Sequence, residues 1–299
     1  MNRLSIAKQM TILHLLVEGS SLRSISRVTD TSINTVTKLL VDAGRACAEF
    51  HDAAVCRVWT HHIEVDEAWS FVYAKAKNVE GAAKAPPEAG DVWTWIALDP
   101  QSKLIISCLI GGRDRMAARA FAADIRSRVA TKRPQITSDG LDLYVDAIEE
   151  AFGADVDYGQ ILKVYARDPE AEERRYSPPV CVTAKKRAIS GRPDWKHIST
   201  SLVERQNLNL RMGVRRYTRL TNAFSKKLEN HVHHAALFTV YHNWCRIHTT
   251  TKITPAMGAG LTRELYDIKW LAEMVEAHRP KPKKPGPAKG TKYRPRRSR

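Results

Sequence analysis

Long apolar runs are missing from this 299-residue chain. None approaches the roughly 20 residues that a membrane-spanning helix requires, so no membrane anchor is expected. Cysteine is scarce and unpatterned. The five residues, Cys47, Cys56, Cys108, Cys181 and Cys245, are odd in number and scattered, without a CxxC pair or the Cys/His spacing of a zinc module. That argues against a disulfide-stapled scaffold and for reduced thiols in a cytoplasm. Acidic residues are few beside basic ones, 32 against 48, and the formal charge of +16 implies a polyanionic partner. No internal repeat is visible. The opening MNRLSIAKQMTILHLL could mimic a signal peptide, but Lys8 and Gln9 interrupt it, its period is helical and no small-residue cleavage site follows. It is expected to be a helix of the mature protein.

The charge is segmental. Residues 185–227 hold twelve Lys/Arg against two acids and residues 279–299 hold ten against none, which leaves the rest of the chain net acidic. A single basic run is ordinarily a solubilising surface; two of them beside a cluster of acids point to nucleic acid.

Length allows about two domains. Residues 5–46 read as three helices, Ser5 to Val17, Leu22 to Val28 and Ser32 to Ala46, broken at Gly19-Ser20-Ser21 and at Asp30-Thr31. Ile25, Val28, Ile33, Val36, Leu39 and Leu40 are spaced to pack the second helix on the third, leaving Asn34, Thr35, Thr37 and Lys38 outward, where a recognition helix meets a major groove. A helix-turn-helix DNA-binding domain over 1–50 is expected; a plain three-helix cap is the alternative. From about residue 60 the pattern turns to strands: His62 to Tyr73, Val92 to Leu98 and Leu104 to Ile110 form an antiparallel meander. A helix (Met116 to Val129), a strand (Gln135 to Ser138), a helix (Leu143 to Phe152) and a short strand (Ile161 to Tyr165) follow. This order predicts an α/β fold, a ribonuclease H-like mixed sheet flanked by helices, over 60–257. Residues 167–200 read as a loop or insertion, Asn222 to His248 as one long helix, and 258–278 as a C-terminal helix. The last stretch, 279–299, with five prolines, is expected to be a disordered basic tail.

Three carboxylates lie in different local settings: Asp66 in the strand IEVDEAWSFV, Asp139 at the Ser-Asp-Gly turn after a strand, and Glu204 in the helical HISTSLVERQNLNLRMG. Folded together they would make a split site for Mg²⁺, with Mn²⁺ as an alternative, because hard cations take oxygen ligands and bind through a few carboxylates plus substrate phosphate. An unpaired acid among Ile63, Val65 and Phe71 costs several kcal/mol, which a metal relieves. Strand alternation turns Glu67 to the other face, as a surface or paired acid. Asp139 could equally serve only its turn, and Glu204 only an ion pair. Arg211, two helical turns after Glu204, shares its face and could hold a phosphate; Arg205, Arg215 and Arg216 extend the basic stretch. His231, His233, His234, His242 and His248 point in several directions for a zinc cluster. Trp93 and Trp95 read as core, whereas Trp195 sits in a loop that could meet DNA.

VDEAW, TSDG and ERQNLNLR resemble the corresponding motifs of DDE transposases of bacterial insertion sequences, of the insertion-sequence-one type, and the resemblance extends from the amino-terminal helices through YHNWCRIHTTTKITPAM at 241–257. It implies Asp66, Asp139 and Glu204 as the catalytic triad and ligands of Mg²⁺, with Arg211 as the basic residue often found seven positions after the acid. The long gap between Asp139 and Glu204 suggests an insertion. It further implies cleavage at insertion-sequence ends and strand transfer of the 3′-OH. The partner would be double-stranded DNA, both terminal inverted repeats and target, bound by at least a dimer in the bacterial cytoplasm at the nucleoid. A structure-specific nuclease of the same fold, or a catalytically idle DNA-binding regulator, are the alternatives.

Overall fold

A computed structural model describes residues 3–166, 180–218 and 221–279. The chain begins with three helices, α1 (Ile6–Val17), α2 (Leu22–Thr29) and α3 (Ile33–Ala54). Each starts at a serine whose hydroxyl accepts an amide of the first turn: Ser5 from Lys8, Ser21 from Ser24, Ser32 from Thr35. Asp30 ends α2 in the left-handed region, φ 45°, and so makes the tight corner into α3. Helix α3 runs well beyond Ala46, the expected end, because its second half packs on a later helix, α7 (Leu228–Val240).

The crossing of α3 and α7 depends on Gly44. A Cβ at this position would overlap the Cβ and backbone of His233. Gly44→Ala is expected to destabilise the protein by about 1–3 kcal/mol, read as a lower urea midpoint at unchanged slope. An unaltered midpoint would show that the helices can separate at no cost.

Strands β1 (His62–Val72), β2 (Gly90–Leu98) and β3 (Ile105–Gly111) form the expected antiparallel meander. After helix α4 (Arg115–Arg128) come β4 (Gln135–Ser138), α5 (Leu143–Phe152), β5 (Asp157–Ala166) and β6 (Val180–Ser190). The sheet order is β3-β2-β1-β4-β5-β6. β4 is parallel to β1 and β5 to β4. This mixed sheet flanked by helices is consistent with the ribonuclease H-like expectation. Odd residues of β1, Ile63 and Val65, pack with Trp95, Phe121 and Tyr144 in a core that continues into α1, α3 and the C-terminal helix α9 (Ile268–His278). On the opposite face Ala68, Ile96 and Ile105 meet α6 (Ser201–Gly213) and α7. Among the described residues no helix is long and apolar enough to cross a membrane.

Four expectations are corrected. Residues 180–190 are not loop but the edge strand β6, paired antiparallel with a β5 longer than expected. The helix expected over Asn222 to His248 begins only at Leu228, because Ser225 pairs as an isolated bridge with Val72. It gives way after Val240 to a π turn, Tyr241–Cys245, in which the Asn243 side chain bonds both the N–H and the C=O of Ile105 at 3.0 and 2.9 Å. That amide replaces a missing neighbour strand at β3. Val28 and Ile33, expected between α2 and α3, are 69% and 41% exposed. Of the expected tail only Arg279 lies within the described residues, and it is ion-paired to Asp42 and Glu276. A short helix, α8 (Pro255–Gly258), joins the π turn to α9.

Candidate active site

Asp66 sits in mid-strand on β1, Asp139 just past the end of β4, and Glu204 in the first turn of α6. The sheet order sets β1 beside β4, and α6 crosses the face carrying the even residues of β1. All three acids therefore line one open cleft of about 760 Å³, together with Asn207, Arg113, Lys163 and Arg211. The carboxylates do not yet converge on a point. Asp139 Oδ1 accepts the Leu141 amide at 3.0 Å, Asp66 Oδ2 accepts from Asn207 Nδ2 at 2.7 Å, and Glu204 Oε1 takes the Thr200 hydroxyl at 2.7 Å and an ion pair from Lys163. Among the described residues, no group of three His, Cys, Asp or Glu side chains is arranged to hold a single metal ion.

The electrostatics single out Asp66. Burial, then the charges of Glu67 and Asp139, push its carboxyl up to about 7, against the amide of Asn207. Glu67 is the paired acid that alternation predicts: on the other face it accepts from Arg113 Nε at 2.9 Å and from the Tyr144 hydroxyl at 3.0 Å. Its own carboxyl is raised by burial and by Asp139, with Arg113 opposing. Arg113 also stacks on Trp93, 4.6 Å from the ring centroid.

In its chemistry, though not in its spacing in this structure, the donor set suits a hard divalent cation. It is all oxygen, it holds an acid strained toward neutrality, and the buried Asn207 Oδ1 has no hydrogen-bond partner. Asp66, Asp139 and Glu204, with Asn207 beside them, are the residues that would hold Mg²⁺ or Mn²⁺.

The other expected site residues fall in two places. Asn34, Thr35 and Lys38 are exposed on α3, with Thr37 half-buried, far along the chain from the cleft. Arg205 is exposed on α6, Arg215 is half-buried and Arg211 lines the cleft. Arg216 is the correction. Instead of facing DNA it turns inward, its Nε donating to His234 Nδ1 at 3.3 Å and its Nη1 to Ser225 Oγ at 3.2 Å, and burial lowers it to about 10. Trp95 is buried in the core, and Trp195 is 54% exposed. The histidines are separate: His231 bonds Ser70 and Ser225, His234 bonds the Leu16 carbonyl, and His242 the Lys103 carbonyl.

Asn207, Lys163 and Arg113 escaped the sequence reading, and the start of the basic segment, where Lys185, Lys186 and Arg187 are all exposed, is legible there by its charge but not as an edge strand. Asn207, one turn after Glu204, could have been found from helical spacing; nothing local marks Lys163.

No protein-family model matches the chain, and no curated protein matches it. Among solved structures it is similar to a piggyBac transposase synaptic complex with hairpin DNA, with 10% identity over 91% of this chain and 70% of that chain and a TM-score of 0.40. A likeness at that level assigns neither chemistry nor residues.

Proposed function

We propose that this protein is a DDE-type DNA transposase, a polynucleotidyl transferase that cuts DNA at the ends of an insertion sequence and joins the freed 3′-OH to target DNA. The observation that carries this reading is the meeting of Asp66, Asp139 and Glu204, from three separate elements, in one cleft whose remaining charged walls are Arg113, Lys163 and Arg211. A phosphodiester in this cleft meets cationic side chains on its non-bridging oxygens and carboxylates able to hold Mg²⁺ or Mn²⁺. Held by these carboxylates, Mg²⁺ or Mn²⁺ would supply Lewis-acid polarisation of the phosphate and a lowered pKa for the attacking water or 3′-OH. Lys163 is ion-paired with Glu204, and Asn207 fixes the orientation of Asp66. Binding falls to other surfaces. Asn34, Thr35, Thr37 and Lys38 would read the terminal inverted repeats from α3, with the exposed Val28 and Ile33 adding apolar contact. Arg205, Arg215 and the strand residues Lys185 and Lys186 would follow the phosphate backbone. Pairing two ends calls for at least a dimer, acting at the bacterial nucleoid.

The test is strand transfer with labelled duplexes carrying the inverted repeats that flank the gene, with and without Mg²⁺. Joined products that require the ion are expected. Cutting without joining would replace this reading with a structure-specific nuclease, and binding without either would replace it with a regulator.

A further inference from the structure

Glu64 stands two residues before Asp66, and alternation along β1 puts both on the α6 side of the sheet. It is 4% exposed. Its Oε2 accepts the backbone N–H of Leu202 at 2.8 Å and of Val203 at 3.0 Å. These are first-turn amides of α6, which have no acceptor within their own helix. The sequence next to α6 does not cap these two amides: Ser199 Oγ accepts only the Ser201 N–H at 3.2 Å, and Thr200, at the N-cap, makes no side-chain bond to the backbone, its hydroxyl going to Glu204 instead. One turn beyond Glu204, Asn207 donates to Asp66. The helix is thus fastened to β1 on both sides of Glu204, by Glu64 before it and by Asp66 after it. A carboxylate at this end also complements the helix dipole. Glu64 does not line the cleft.

We infer that Glu64 is a positioning residue: its carboxylate, delivered from β1 to cap the first-turn amides of α6, sets the height and rotation of that helix and so the spacing between Asp66 and Glu204. This rests on reading those two acids as metal-holding residues. The strand that carries one acid thereby carries the anchor for the other, and an error in the seating of α6 would separate the two while leaving the exposed α3 and β6 surfaces in place. Buried partners that orient ligands ordinarily matter by about 10–100-fold in metal affinity or activity.

The test compares full-length wild type with Glu64→Ala, Glu64→Asp and Glu64→Gln, measuring amide hydrogen exchange at Leu202 and Val203, Mn²⁺ binding by electron paramagnetic resonance, and affinity for duplex DNA. In Glu64→Ala the two amides are expected to exchange roughly ten-fold faster or more and Mn²⁺ affinity to fall by about 10–100-fold, while affinity for duplex DNA, to which α6 contributes only Arg205, changes by no more than about a few-fold. Glu64→Asp keeps the charge but is one methylene too short to serve both amides; it should show the same losses in smaller measure, and it carries the test if the alanine variant does not fold. Glu64→Gln keeps an acceptor of the right length and should recover most of both. Amides that stay protected without the carboxylate, or lost protection with Mn²⁺ affinity intact, would overturn the inference while leaving the proposed activity standing. Wild type that binds no Mn²⁺ would overturn the metal reading, and the inference with it.

Discussion

Asp66→Asn is expected to stop DNA cutting and, in the same molecule, to raise the melting temperature of the metal-free protein. The substitution keeps the shape of the side chain and an oxygen that can accept from Asn207, so the loss is one of charge. Without it the cleft gives up the acid whose environment is most distorted, and the several kcal/mol that metal-assisted chemistry supplies correspond to a drop on the order of a thousand-fold or more. The gain in stability follows from the same distortion. Burial and two neighbouring acids raise the carboxyl from 3.8 to about 7, so the folded state prefers it protonated. Its favourable contribution is complete below about 3.8 and is lost as pH rises through about 7. At about 1.4 kcal/mol per unit, the penalty above pH 7 is on the order of 4 kcal/mol, or roughly 5–10 °C. The gap between the two melting temperatures should widen progressively from pH 5.5 to pH 8, and added Mg²⁺ should raise the melting temperature of the wild type alone. Wild-type cutting by the variant would remove Asp66 from the catalytic set. Parallel melting from pH 5.5 to 8 would mean that the carboxylate is not strained.

The parts of the fold that could be read beforehand are those whose side chains keep a strict period. β1 to β4, α4 and α5 fall close to their expected limits because each has one buried face and a turn signal at its ends. β6 was hidden because both its faces are exposed from Cys181 to Ala188. A strand with no buried face has no alternation, and its Lys185-Lys186-Arg187 run looks like any solvated loop. The break in α7 was hidden for a different reason: the 3.6-residue pattern continues through Tyr241 and Trp244, and only the contact of Asn243 with Ile105 selects a π turn. In the site, the acids stood out because a carboxylate in a strand or at a strand end needs a reason to be there. Their partners did not, since Lys163 and Arg113 reach the cleft through pairings that no local pattern encodes. Arg216 marks the limit of charge counting, which registers that a cation is present but not that it points toward His234 rather than toward solvent.

Acid should unfold this protein well above the range in which its carboxylates titrate, because four buried histidines cannot take up protons in the folded state. His51 and His242 are lowered to about 4, and His231 and His234 to about 3; burial is the first cause in each, and the Arg216 charge adds to it for the latter two. The rings of His231 and His234 are locked neutral by their neighbours. With Arg216 donating to Nδ1 of His234, the other nitrogen must donate to the Leu16 carbonyl, and that bond ties α1 to α7. Unfolded, all four return to about 6.5. Their stabilisation is therefore present above pH 6.5 and is lost as pH falls from 6.5 toward 3–4. At pH 5 each has lost about 2 kcal/mol, on the order of 8 kcal/mol together, against a total stability of roughly 5–15 kcal/mol for a typical protein. Asp66 works in the opposite direction, since its protonation below pH 7 relieves its own penalty, but that recovers only about 3 kcal/mol by pH 5, so the histidines decide the outcome. Urea unfolding in metal-free buffer should weaken steeply from pH 6.5 downward, with a net uptake on unfolding of about three protons near pH 5, about four taken up by the histidines less the one that Asp66 releases. His234→Gln, which keeps a donor toward Leu16, should be less stable at pH 8 but lose stability less steeply, with about one proton fewer taken up. A stability that holds level from pH 8 to 4.5 would show that these rings can be charged in place, and that the packing of α1 and α7 around them is open to water.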